Sequence, residues 1–233
     1  MENHLVEGLF WYFAFVLSVV VHEASHALAA LRLGDPTAHR GGQVTLNPVP
    51  HMKREPVGTI VVPIISFLLG GWMFGWASAP YDRDWARKHP ERSGLMALAG
   101  PAANLVMVLL AAALIRAGMH FERFYAPDSV NFSRITASYS DGTWAALAAM
   151  VSIVFTLNLI LLVFNLLPVP PLDGSGIVPL FLRRDRALRY MEFLDRSPML
   201  FIGIIVAWNV FDYIFDPVHL AAINLLYPGA NYQ

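Results

Sequence analysis

Four apolar runs in this chain are long enough to cross a bilayer, and charged or turn-forming residues bound each of them. They cover residues 9–33, 95–117, 144–167 and 199–215. About 20 apolar residues suffice to span the hydrocarbon core as a helix, and none of the four shows the strict alternation of a half-buried strand. A fifth apolar stretch, 57–79, is interrupted by Pro63 and by the pair Gly70-Gly71, residues that break a helix and favour a turn. The Pro-rich stretch 167–172 ends the third full span, a short helix is expected over 175–182, and 183–196 reads as an amphipathic surface helix. The polar loop 118–141 is expected outside the membrane. No repeat, low-complexity tract or appended soluble domain interrupts the pattern. It predicts an all-α integral membrane protein with a single domain over 1–233: four full transmembrane helices plus a re-entrant segment, or a fifth crossing.

Composition agrees. The chain is 56% hydrophobic and only 14% charged, against about 25% charged in soluble domains. A soluble fold would be left with too little charge for its surface. The formal net charge of −1 gives no argument for a nucleic-acid partner, and none is expected. Cysteine is absent, which excludes disulfides, thiolate catalysis and cysteine-ligated zinc. The N-terminus lacks the basic region and small-residue cleavage site of a signal peptide, so the first apolar segment is expected to remain as an uncleaved anchor.

Charge placement bears on the fifth stretch. If 57–79 dips in and returns, the loops 32–55, 81–92 and 183–196 share one face and hold thirteen of the sixteen Lys and Arg residues. If it crosses, the basic residues split seven to nine. The positive-inside rule favours the first layout, with those loops cytoplasmic and the N-terminus outside, in a cell membrane. A full crossing is the alternative.

Within the first span lies His22-Glu23-Ala24-Ser25-His26. Residues i and i+4 share a helix face, so two imidazoles can grip one metal ion with the glutamate beside its water, the HExxH arrangement of zinc peptidases. A glutamate at mid-membrane costs about 2.5–3.5 kcal/mol on insertion scales and is rarely there without a task. Catalytic zinc usually has three protein ligands and an open position. Asp173, which follows LPVPPL at the end of the third span, is the outstanding candidate for the third. Asp212 and Asp216 are expected at the opposite, outer face. His4, His39, His51, His89, His120 and His219 read as solvated surface residues, on the usual exposure of polar side chains.

Three motifs then carry a resemblance: HEASH at 22–26, GPAANL at 100–105 and NLLPVPPLDGS at 165–175. In this order and on separate spans they resemble the site-2 protease family of intramembrane zinc metalloproteases. LGDPTAHRGGQVTLNP at 33–48 and FGWA at 74–77 are similar to its compact bacterial and archaeal branch, which has no PDZ or CBS domains. The resemblance implies that His22, His26 and Asp173 bind one Zn²⁺ and that Glu23 is the general base and later the proton donor. It implies that Asn165 lies near the metal, where its amide holds substrate or an oxyanion, and that Asn104 has a packing or polar-network role. Phe74, Gly75 and Trp76, with Ala77, match a re-entrant strand-like element that pairs with an unwound substrate. Ser25 departs from the pattern, since the family commonly has Gly there.

The expected function is therefore hydrolysis of peptide bonds in or near the transmembrane segments of membrane-protein substrates. Two other classes compete: a non-proteolytic membrane scaffold or regulator that retains the metal site, and a metal transporter. Intact Glu23 argues against the first. Against the second, the sequence has neither paired repeats nor ligands spaced through the membrane. Oligomeric state is open.

Overall fold

The computed structural model describes residues 2–195, 197–230, 232 and 233, without the side chains of 2–4 and 197–201. Arg196, the last residue of the third basic loop, lies outside the described residues. In chain order the elements are α1 (Glu2–Leu33), α2 (Thr37–Arg40), α3 (Pro48–Arg54), a π-helical turn (Val57–Val61), α4 (Val62–Gly70), α5 (Arg83–Lys88) and α6 (Pro90–His120). There follow β1 (Phe124–Tyr125), β2 (Ala137–Ser138), α7 (Thr143–Asn165), α8 (Asp173–Ile177), a 3-10 turn (Val178–Phe181), α9 (Arg184–Leu194) and α10 (Ser197–Leu226).

Among the described residues, four helices are long and apolar enough to cross a membrane, within α1, α6, α7 and α10. At about 1.5 Å per residue, the 32 residues of α1 reach about 48 Å. α6 runs from Pro90, at its first turn, where a proline's missing N–H costs nothing, and carries Pro101 in its interior. α10 continues through Pro217 to Leu226, beyond Phe215, where the sequence pattern ends the last span. Asp212, inside the span the pattern gives, and Asp216, just past it, therefore both sit within this helix.

α6 packs on both α1 and α7. One core gathers Val108, Ile115, Phe155, Leu159, Phe215 and Ile223 from α6, α7 and α10. A second joins Trp11, Phe15 and Val19 of α1 to Ile153 and Leu157 of α7 and to Met73. The 118–141 loop does more than connect. It forms the antiparallel pair Phe124↔Ser138, Tyr125↔Ala137, so the fold is helical with one small hairpin, and it buries Ile135 completely in the first core. Apolar residues spaced among polar ones hid that packing from the sequence pattern.

The stretch 57–79 folds back on itself. α4 ends at Gly71, whose φ of 75° is a left-handed cap that a side chain would disfavour. The chain then returns extended alongside the helix. Phe74 N–H donates to Ser66 Oγ at 3.1 Å, Trp76 N–H to Gly58 O at 3.1 Å, and Ser78 Oγ to Glu55 Oε1 at 2.7 Å. The two ends of the segment thus meet. The approach is close because Gly58 and Gly75 face each other: a Cβ on Gly58 would lie 2.8 Å from the Trp76 ring.

On the side where α1 ends, Asp35 ties the polar connections together. It is buried, and its carboxylate accepts from Thr37 N–H at 2.9 Å and Asp82 N–H at 2.8 Å. Burial pushes the carboxyl up, but these hydrogen bonds and nearby Arg40 outweigh it and hold it below the usual carboxylate range. His51, expected on the surface, is buried, with Nε2 against Thr45 O at 3.0 Å. α9 is the surface helix expected, and Arg87 joins Asp195 at its end at 2.7 Å.

Candidate metal centre

His22 and His26 lie one turn apart on α1, as the 3.6-residue period dictates. Asp173 opens α8, immediately after the proline run that ends the preceding span. The three meet: His22 Nε2 is 3.0 Å from Asp173 Oδ2, His26 Nε2 is 3.2 Å from the same oxygen, and the two imidazole Nε2 atoms are 3.0 Å apart. Both imidazoles are almost fully buried, and the carboxylate is somewhat more open.

The opposite edges of the imidazoles are committed. His22 Nδ1 faces Asn104 Oδ1 at 2.5 Å, and His26 Nδ1 faces the Met96 carbonyl at 2.7 Å. Both partners are acceptors, so each Nδ1 carries a hydrogen, which leaves Nε2 as the ring atom that can offer a lone pair to a cation. Three acceptor atoms then converge on one point. Such a cluster suits a cation placed among the three atoms. A tetrahedral ion with bonds of about 2.0–2.1 Å separates its ligand atoms by about 3.3 Å, close to the separations found. Two nitrogens and a carboxylate oxygen are also a donor set that zinc accepts. Among the described residues this is the group of His and carboxylate side chains that could hold a metal.

α6 reaches the site because Gly100 lets it. A Cβ there would lie 2.6 Å from His22 Nε2 and closer still to His26 Nε2. Gly100 and Asn104, one turn apart in GPAANL, thus both meet the two imidazoles: the first makes room, the second holds His22. Ser25, the departure from the family pattern, donates to Val21 O at 2.7 Å, so its hydroxyl is satisfied within α1.

Glu23 is buried and, with His26 and Asp173, lines a cavity of about 360 Å³. Its lining also includes Ala77, Ser78 and Ala79 of the returning segment and the exposed side chains of Arg83, Arg87 and Asp195. The site therefore communicates with the charged face. Phe74 and Trp76 are half-exposed, and the Phe74 ring lies edge-on to Trp208 of α10 at 6.1 Å. Asn165 is the last residue of α7 and half-buried. Among the described residues its amide has no hydrogen-bond partner, and it does not join the metal group. Sequence reasoning missed Asn158, which is wholly buried and bonded to Asn104. Its only signal was polarity inside an apolar run.

The model of peptidase family M50 matches residues 10–205. The chain is 37% identical over 164 residues to the "Putative zinc metalloprotease YwhC" of Bacillus subtilis (strain 168), covering 70% of this chain and 64% of that protein. It is 32% identical over 161 residues to the "Putative zinc metalloprotease Rip2" of Mycolicibacterium smegmatis, covering 69% of this chain and 52% of that protein. A Mycobacterium tuberculosis protein of the same description is 31% identical over 170 residues, covering 73% of this chain and 56% of its own length. The chain thus spans between about half and two thirds of the relatives it matches. No solved structure matches it.

Proposed function

The chain belongs to peptidase family M50, the site-2 protease family, and on that premise we propose that it is an intramembrane zinc endopeptidase that cuts membrane-protein substrates within or near their transmembrane segments. One observation carries the reading: two imidazole nitrogens and a carboxylate oxygen converge beside the buried glutamate of HExxH, at the end of a cavity open to the charged face.

His22, His26 and Asp173 would hold one zinc ion. Zinc bound there supplies a Lewis acid that polarises a carbonyl and brings a water's pKa toward about 7. Glu23 then acts as general base, taking the proton of the attacking water. The same carboxyl returns that proton to the leaving amine. The Asn165 amide, uncommitted elsewhere, donates to the oxyanion that develops on the scissile carbonyl. Water comes through the cavity, from the side of Arg83 and Arg87.

A substrate helix must unwind before cleavage, since its carbonyls are already bonded. The extended segment past Gly71 suits this need. No hydrogen bond among the described residues takes up the Ala77 amide, and this residue lines the cavity. A strand edge there can pair with the unwound substrate. We read 57–79 as re-entrant, because its ends meet at Glu55 and Ser78. The basic loops then face the cytoplasm, with the N-terminus outside, in the cell membrane. A chain without cysteine is suited to testing this, by labelling single cysteines placed at Arg87 and at Ser138 from either side.

The deciding experiment pairs Glu23→Gln with metal analysis. The variant retains stoichiometric zinc and loses cleavage of a transmembrane test substrate. Full cleavage by a zinc-loaded Glu23→Gln protein would remove glutamate as the base, whereas a zinc-loaded wild-type protein that leaves the substrate intact would favour the scaffold reading.

A further inference from the structure

The polar contact behind His22 does not end at Asn104. Asn104 Nδ2 donates to Asn158 Oδ1 at 2.9 Å. Asn158 Nδ2 donates to Ser18 Oγ and to Val154 O, each at 2.8 Å, and Ser18 Oγ donates to Ala14 O at 2.7 Å. Ser18, Asn104 and Asn158 are each 0% exposed. The path leaves α1 at His22, crosses α6 and α7, and returns to α1 at Ser18, one turn before it started.

This relay has a direction, and its far end fixes it. Backbone carbonyls only accept. The single Ser18 hydrogen goes to Ala14 O, so Ser18 Oγ accepts from its other neighbour. Asn158 must therefore turn its NH₂ toward Ser18 and Val154, which leaves its oxygen for Asn104. Asn104 must in turn give its NH₂ to Asn158 and its oxygen to His22. An oxygen at Nδ1 keeps the hydrogen on that nitrogen and leaves Nε2 bare. Without Asn158, Asn104 is free to rotate and set its NH₂ against His22 Nδ1, which would favour the other tautomer and cover Nε2 with a hydrogen.

We propose that Asn158 is a positioning residue of the metal centre: acting through Asn104, it holds His22 in the tautomer whose Nε2 can bind a cation. The inference rests on the zinc reading above and adds to it a residue that touches neither metal nor substrate. Outer partners that orient a ligating histidine commonly change metal affinity about 10- to 100-fold when lost.

The test uses the full chain in detergent, with zinc affinity measured by chelator competition and the cobalt(II)-loaded protein followed by its visible absorption. In Asn158→Leu, zinc affinity is expected to fall about 10- to 100-fold, with a weaker cobalt d–d band. Asn104→Leu loses a similar amount, and the double variant loses no more than the larger single loss, because the two act in series. Asn158→Asp, as the neutral acid, keeps an acceptor toward Asn104 and a donor behind it, and recovers most of the affinity. Where leucine is not tolerated, Asn158→Ala carries the same expectation. Wild-type affinity and spectrum in a folded Asn158→Leu protein would overturn the proposal and leave the zinc site standing. Losses that add in the double variant would also overturn it, since they mean independent packing roles. A wild-type protein that binds no zinc would bring down both readings.

Discussion

Gly100→Ala adds one methyl group where α6 crosses the two histidines. The new Cβ would stand 2.6 Å from His22 Cε1 and Nε2, and nearer to His26 Nε2. Optimal contact between such atoms is about 3.5–4.0 Å, so the rings must retreat by about 1 Å. Zinc–ligand bonds tolerate only about 0.2 Å, and a retreat of that size takes at least one imidazole out of bonding range. Structural zinc sites with four ligands are worth about 10–16 kcal/mol, or about 2.5–4 kcal/mol per ligand if shared evenly. Losing one ligand should therefore weaken zinc by roughly 10²- to 10³-fold. The effect on folding is small by comparison. Overpacking costs about 1–3 kcal/mol, and alanine recovers about 1 kcal/mol of helix propensity over glycine. The assay is zinc affinity by chelator competition, beside thermal unfolding of the metal-free protein. Gly8→Ala is the control, since its Cβ would meet Phe67 Cε1 at 2.8 Å, away from the ligands. Zinc affinity in Gly100→Ala equal to that of wild type would refute the claim that this glycine makes room for the site.

Three further expectations separate the parts of the site. Asn165→Ala should leave zinc binding intact and lower kcat by roughly 10²- to 10³-fold, the usual cost of an oxyanion donor; an unchanged kcat would remove the amide from the chemistry. Gly58→Ala would place a methyl 2.8 Å from the Trp76 ring and push the returning segment off the π-helical turn. Cleavage should fall while zinc is retained, and equal losses of both would tie the hairpin to the metal centre instead. Asp35 has its carboxyl held below the ordinary range in the folded state, so its contribution is full above the unfolded pKa of about 3.9 and is lost as pH falls through the lowered folded value. Asp35→Ala should cost about 1–3 kcal/mol near neutral pH, the penalty for stranding its two amide donors, and flatten the acid limb of thermal unfolding measured against pH. An unaltered limb would assign the acid sensitivity to other carboxylates.

Local periodicity and composition made part of this molecule legible. Spans are visible because each must be apolar over its whole length, whatever packs beside it. His22 and His26 were visible because i, i+4 is a property of one helix. Asp173 was visible because proline marks where a helix stops and the chain can turn. What the sequence concealed is non-local. Gly58 and Gly75 are 17 positions apart, and their facing approach depends on Gly71 reversing the chain. His51 sits on the short helix α3, between the capping Asn47 and the basic Lys53 and Arg54, a setting that suggests solvent, yet it turns inward onto Thr45. Asn158 lies four residues after Val154 and seven before Asn165, and nothing in that spacing points to α1. Its meaning appears only when α6 brings Asn104 between it and His22.

The candidate centre is asymmetric in a way that would suit the proposed hydrolysis in a bilayer. Behind His22 every polar atom of the relay is answered by another, down to the carbonyls of Ala14 and Val154, so that side excludes water without stranding a donor or acceptor. A buried polar group left unpaired would cost about 1–3 kcal/mol, and the relay avoids that cost at Asn104, Asn158 and Ser18. On the other side the needs are reversed. Glu23, His26 and Asp173 border the cavity, where water and peptide would arrive in the proposed reaction. His22, anchored through the relay, lies away from the cavity wall, while Asp173, the most exposed of the three ligands, comes from a short helix after the proline run. Rigidity on the dry side and access on the wet side follow from one choice: two ligands on a helix crossed by α6 at a glycine, and the third on a segment that proline has freed from its helix.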